Sequence, residues 1–120
     1  MFINCSSLVT APELPATTLT DGCYTGMFYN CTSLTTAPEL PATTLVQHCY
    51  ENMFNNCTSL NYIKAMFTTT PSSTYTDGWV YNVAANGTFI KNSAATWHVR
   101  GNNGIPSNWT IYNENGEQYP

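Results

Sequence analysis

Five cysteines, two histidines and a few repeated carboxylates are the residues of this chain with chemistry to offer, and their spacing is regular. Cys5, Cys31 and Cys57 stand 26 residues apart, as do Cys23 and Cys49. An odd cysteine count fits poorly with a full disulfide set. A zinc knuckle needs closer pairs than the eight residues between Cys23 and Cys31 or between Cys49 and Cys57. The spacing favours two ladders of buried structural thiols with Cys5 partly exposed, a disulfide or a metal site being the alternative. His48 adjoins Cys49, but sequence neighbours point apart on a helix or a strand, which places the imidazole badly for taking a thiol proton. His98 falls at a solvent-facing strand position. Glu13 and Glu39 hold equivalent places 26 residues apart, which reads as a solvated edge rather than an acid/base pair. No Ser/His/Asp set and no phosphate-cradling glycine loop stands out. The chain is therefore read as a non-enzyme, with no catalytic residue, no metal and no cofactor.

What must position these residues is a repeat. Met1–Gly26 (MFINCSSLVTAPELPATTLTDGCYTG) and Met27–Asn52 (MFYNCTSLTTAPELPATTLVQHCYEN) agree at 18 of 26 positions, and MFNNCTSL from Met53 opens a third copy. Thr76-Asp77-Gly78-Trp79 echoes Thr20-Asp21-Gly22-Cys23, with four extra residues between. A period in the twenties is the mark of stacked units that bury their apolar faces against neighbours. Phe28, Cys31, Leu34, Ala37 and Leu40 recur every three residues, and Pro38 and Pro41 hold that stretch extended. Leu45, Cys49 and Met53 are four apart, the spacing of a buried helical stripe, with Thr43 or Thr44 to cap it. Each unit then reads as a short strand, a proline bend and a short helical turn. Residues 1–78 are expected to form an α+β repeat solenoid (copies 1–26, 27–52 and a degenerate 53–78), and residues 79–120 an antiparallel β cap.

The MFxNCTSLTTAPELP core and the CYxxMF leading into each copy resemble the BspA-like leucine-rich repeats of bacterial surface proteins, over about residues 1–67. The 26-residue period is longer than that family's usual unit, and Ala37 stands where a larger aliphatic is common. The resemblance implies a curved solenoid with a strand ladder on its concave face, displayed at the cell surface or secreted for adhesion or protein binding. It names no ligand.

After residue 78 the character changes. Trp79, Trp97 and Trp109, the only tryptophans, lie there among short β-like runs (79–83, 88–90, 97–99, 109–112) separated by the turn signals Asn86-Gly87, Asn103-Gly104 and Asn115-Gly116. The asparagines preceding Cys5, Cys31 and Cys57 spell glycosylation sequons, but are read as bonding turn amides instead.

Composition narrows the partners. Three Lys/Arg against seven Asp/Glu, net charge −4, leave no basic stripe for nucleic acid. No run reaches the ~18 apolar residues of a membrane helix, and no secretion signal is visible. The leading expectation is a binding or adhesion module contacting protein through outward positions of the repeat. Among Val9, Thr10, Glu13, Thr35, Thr36, Glu39, Asn61, Tyr62 and Lys64, the third copy alone sets an aromatic beside a cation, which singles out Tyr62 and Lys64, with Thr36 and Glu39 of the second copy as further binding candidates. Trp79, Trp97 and Trp109 are read first as the core of the cap; one alternative is glycan binding on their faces, and another is a structural piece of a longer surface or phage-tail fibre. The uncapped first copy leads to an expectation of end-to-end association between copies of the chain.

Overall fold

A computed structural model describes residues 2–119. Its path follows from where the backbone turns left-handed. Gly22, Gly26 and Asn30 have φ of 66°, 61° and 61°, and one copy later His48, Asn52 and Asn56 have 58°, 53° and 64°. A left-handed residue at every fourth position stops a helix from propagating, and glycine and asparagine tolerate that conformation best. The chain closes a turn between each pair: Cys23, Thr25, Met27, Tyr29 and Cys31 donate their amides three residues back, to Thr20, Gly22, Tyr24, Gly26 and Phe28. The alternate amides leave the layer. Gly22, Tyr24, Gly26, Phe28 and Asn30 donate to the carbonyls of Gln47, Cys49, Glu51, Met53 and Asn55, and His48, Tyr50, Asn52, Phe54 and Asn56 to Thr74, Tyr75, Asp77, Trp79 and Tyr81, at 2.7–3.1 Å. Alternate donors are thus satisfied within their own layer and in the next.

The expected α+β solenoid with helical turns is thereby corrected. No helix occurs among the described residues. Leu45, Cys49 and Met53 are four apart because four is the length of each turn, a period that a helical stripe nearly shares. Nor is the molecule a leucine-rich-repeat solenoid: it is a small sheet domain, 34 × 30 × 23 Å, with a Cα radius of gyration of 12.8 Å.

Strands form on the side opposite the turns. β1 (Tyr62–Ala65), β2 (Thr88–Lys91), β3 (Thr110–Asn113) and β4 (Gln118–Tyr119) make one mixed sheet in that order. The first three are parallel, in register through Tyr62, Thr88 and Thr110, and β4 is antiparallel to β3. The antiparallel cap expected over 79–120 is corrected too, since β2 and β3 continue the parallel ladder that β1 begins and β4 alone reverses. Copies one and two touch the sheet by single bridges, Thr10 to Thr36, Thr36 to Tyr62 and Leu40 to Ala65. Pro12, Pro15, Pro38 and Pro41 remove ladder donors there, whereas the third copy reads Asn61-Tyr62-Ile63-Lys64-Ala65 and is free to pair.

The core is a set of side-chain columns in repeat phase. Phe2, Phe28 and Phe54 stack at 5.5 and 5.8 Å between ring centres and Tyr24 and Tyr50 at 6.1 Å, while Trp79, out of phase with them, extends the tyrosine column at 5.9 Å from Tyr50. Asn4, Asn30, Asn56 and Asn82, all left-handed, form a third column at the turn surface, the Nδ2 of Asn30, Asn56 and Asn82 each donating to the Oδ1 of the asparagine one layer earlier. These side chains bond one another rather than turn amides. The period also survives the degenerate copy unbroken: Gly78 is left-handed in phase with Gly26 and Asn52, so the echo of Thr20–Cys23 at Thr76–Trp79 is not the structural correspondence.

Asn56 sits in the middle of its column, as both donor and acceptor. Asn56→Val is expected to lose about 2–4 kcal/mol, combining a β-branched residue at positive φ with two lost ladder bonds, while Asn56→Gly keeps the conformation and loses about 1–2 kcal/mol. Urea denaturation of both variants checks this; equal losses would contradict it.

Candidate functional site

Alternation along the strands sorts side chains by face. Ile63, Ala65, Phe89, Lys91, Ile111 and Asn113 turn inward and are buried, while Tyr62, Lys64, Thr88, Ile90, Thr110 and Tyr112 keep partial exposure on the outward face. Register sets Thr36, Tyr62, Thr88 and Thr110 in one row across this face, and Lys64, Ile90 and Tyr112 in a second. Lys64 Nζ meets Glu39 Oε1 at 2.9 Å. The hydrogen bond to Glu39 holds the Lys64 pKa above its ordinary value. Both side chains are well solvated, so the pair stabilises the fold by less than about 1 kcal/mol. Thr36, Glu39, Tyr62 and Lys64 are thus brought together. Beside them an open cleft of about 280 Å³ is lined by Glu13, Leu14, Pro15, Glu39 and Pro41. Glu13 has no cation against it among the described residues, because the layer position held by Lys64 is taken by Pro38 one copy earlier.

Thr88, Ile90, Thr110 and Tyr112 complete the face and were missed from the sequence. A signal for Thr88 was present: Thr10, Thr36, Tyr62 and Thr88 are 26 residues apart, so carrying the period past the third copy finds it. Thr110 lies off that period and needed the strand register.

The three tryptophans lie elsewhere. Trp79, Trp97 and Trp109 are 0, 4 and 2% exposed. Each indole N–H donates to a backbone carbonyl, of Gly104, Phe67 and Ala84 respectively. Trp79 is packed by Tyr50, Phe54, Phe67 and Phe89, and Trp97 by Phe67 and Phe89. These rings are core, as the leading reading of the cap has them, and the sugar-stacking alternative is corrected.

All five cysteines are free thiols. Cys31 Sγ donates to the Phe2 carbonyl at 2.7 Å and Cys57 Sγ to that of Phe28 at 3.0 Å. Cys31, Cys49 and Cys57 are buried, Cys5 is half-buried, and Cys23 is exposed, against the expectation of a buried ladder at that phase. Burial raises the Cys31 and Cys49 thiols and pushes Cys57 up to about 12. His48 turns away from Cys49, its Nδ1 2.7 Å from Glu51 Oε2. No group of three or more metal-ligating side chains occurs among the described residues, and no helix there is long and apolar enough to cross a membrane.

The N-terminal end of the stack has a direction. Every cross-layer amide on the turn side donates toward higher residue numbers, and no backbone amide among the described residues donates to the carbonyls of Ile3, Asp21, Cys23 and Thr25 in the first layer. Two copies of the chain meeting through this end would set acceptor against acceptor. The symmetric form of end-to-end association accordingly lacks the hydrogen bonds that join layers within the molecule, and sedimentation velocity is expected to find no dimer at this end; a dimer abolished by Phe2→Glu would contradict that. Iodoacetamide is expected to alkylate Cys23 first and Cys5 next, leaving Cys31, Cys49 and Cys57 intact until unfolding. Peptide mass mapping checks the order, and early labelling of Cys57 would contradict it.

No family model matches the chain, and neither does any curated protein or solved structure.

Proposed function

We propose that the protein is a non-enzymatic interaction module that holds a polypeptide partner against the outward face of its sheet. The observation that carries this reading is the convergence of Thr36, Glu39, Tyr62 and Lys64 on one face, continued by Ile90 and Tyr112 on the neighbouring strands. Two phenols, an aliphatic side chain and a threonine row present apolar surface with polar tips, the mixture on which protein contacts centre. Lys64 is occupied by Glu39, so the charge left to a partner is the Glu13 carboxylate in the adjoining cleft. A partner segment carrying Lys or Arg next to an aliphatic or aromatic residue fits that arrangement, and the net charge of −4 favours its approach.

A displayed peptide library selected against the full chain tests this. Selected peptides are expected to be enriched in Lys or Arg beside apolar residues. They should lose about tenfold or more in affinity to Tyr62→Ala, a loss of about 1.4 kcal/mol, and none to Tyr81→Ala, which removes an exposed tyrosine on the turn side. Peptides indifferent to Tyr62→Ala, Tyr112→Ala and Glu13→Gln would overturn the reading.

A further inference from the structure

We propose that the cavity beneath β3 and β4 is a binding site for a small carboxylate anion, anchored by the Lys91 ammonium. Lys91 occupies the last, inward position of β2 and is 1% exposed. A buried ionised side chain is ordinarily paired with an opposite charge. Lys91 has a different environment: Nζ donates to the Trp97 carbonyl and lies 4.9 Å from the ring centres of both Trp97 and Tyr119. No carboxylate among the described residues reaches it. The ion pairs among the described residues are His48 with Glu51 and Lys64 with Glu39. The acids flanking Asn113, its partner in register on β3, are engaged elsewhere: Glu114 accepts the Ser93 amide at 2.8 Å, and Glu117 accepts Asn113 Nδ2 at 2.9 Å. One carbonyl and two aromatic faces stabilise a cation without neutralising it. Burial pushes the Lys91 pKa below its ordinary value, the behaviour of an ammonium without a counter-charge.

The space for that counter-charge adjoins it. A cavity of about 90 Å³ is lined by Lys91, His98, Arg100, Ile105, Ile111 and Tyr119. Two of the three Lys/Arg residues of the chain therefore line one small space, with a histidine and with no acid. Arg100 is fixed there, its Nη1 donating to the carbonyls of Pro106, Ser107 and Trp109 at 3.3, 3.1 and 2.9 Å. The volume equals about three water molecules at roughly 30 Å³ each, the scale of formate or acetate. Ile105 and Ile111 suit an anion with a small apolar end better than a strongly hydrated one. The site lies on the inward side of the sheet, away from the outward face, and does not depend on the function proposed for that face.

Thermal unfolding of the full chain, with sodium formate or acetate exchanged for a bulky sulfonate at constant ionic strength, tests the assignment together with NMR of the Lys91 ε-methylene group. Tm is expected to rise saturably with formate and acetate, and the Lys91 resonances to move along the same curve. Lys91→Met should abolish the Tm response while Lys64→Met preserves it. Should Lys91→Met fail to fold, the resonance titration of the unmodified chain decides alone. Lys91 resonances that stay still as formate is added, or a Tm response unchanged in Lys91→Met, would overturn the proposal.

Discussion

The constraint on which the structure depends is the left-handed backbone at every fourth residue of the turn segments. It prevents helix, and it frees alternate amides to leave their own layer. With Gly22, Gly26 and Asn30 at positive φ, their own amides and those of Tyr24 and Phe28 donate to the carbonyls of the next copy, while the amides between them close turns within the layer. Layer stacking is then a matter of satisfying the backbone, and the 26-residue spacing of side chains follows from it. Phenylalanine falls on phenylalanine, asparagine on asparagine, and the thiols of Cys31 and Cys57 on the carbonyls of Phe2 and Phe28.

The opposite side obeys a different rule. Proline withholds strand pairing from the first two copies and its absence permits it in the third, so the sheet starts at Tyr62 and grows toward the C-terminus. That asymmetry gathers the partly exposed Tyr62 and Tyr112 at the outward face and encloses the tryptophans and Lys91 behind it. The outward face and the Lys91 cavity are both consequences of three parallel strands ending in a short antiparallel return.

The repeat, its period, the extended proline segments and the outward placing of Thr36, Glu39, Tyr62 and Lys64 were legible in the sequence, because equivalent positions at fixed intervals are placed alike; that Glu39 pairs with Lys64 was not. The turns were not, since a four-residue turn and a helical stripe space Leu45, Cys49 and Met53 almost identically. The distinguishing mark was polar: Gly22, Gly26, Asn30, Asn52 and Asn56 sit where a helix is least tolerant of them. The parallel ladder was hidden by the loss of side-chain identity after Leu60, although the period itself runs on through Asn82 and Thr88. The burial of Trp79, Trp97 and Trp109 was legible as the need to cover the end of a stack, but which rings they pack against was not.

Through-hydrogen-bond scalar couplings test the central claim most directly, because they report which carbonyl each amide meets. Couplings from the amides of Phe28, Tyr50 and Phe54 to the carbonyl carbons of Met53, Tyr75 and Trp79 are the result predicted by cross-layer bonding. Couplings from the amides of Cys49 and Met53 to carbonyls four residues back, the signature of helix, would contradict it.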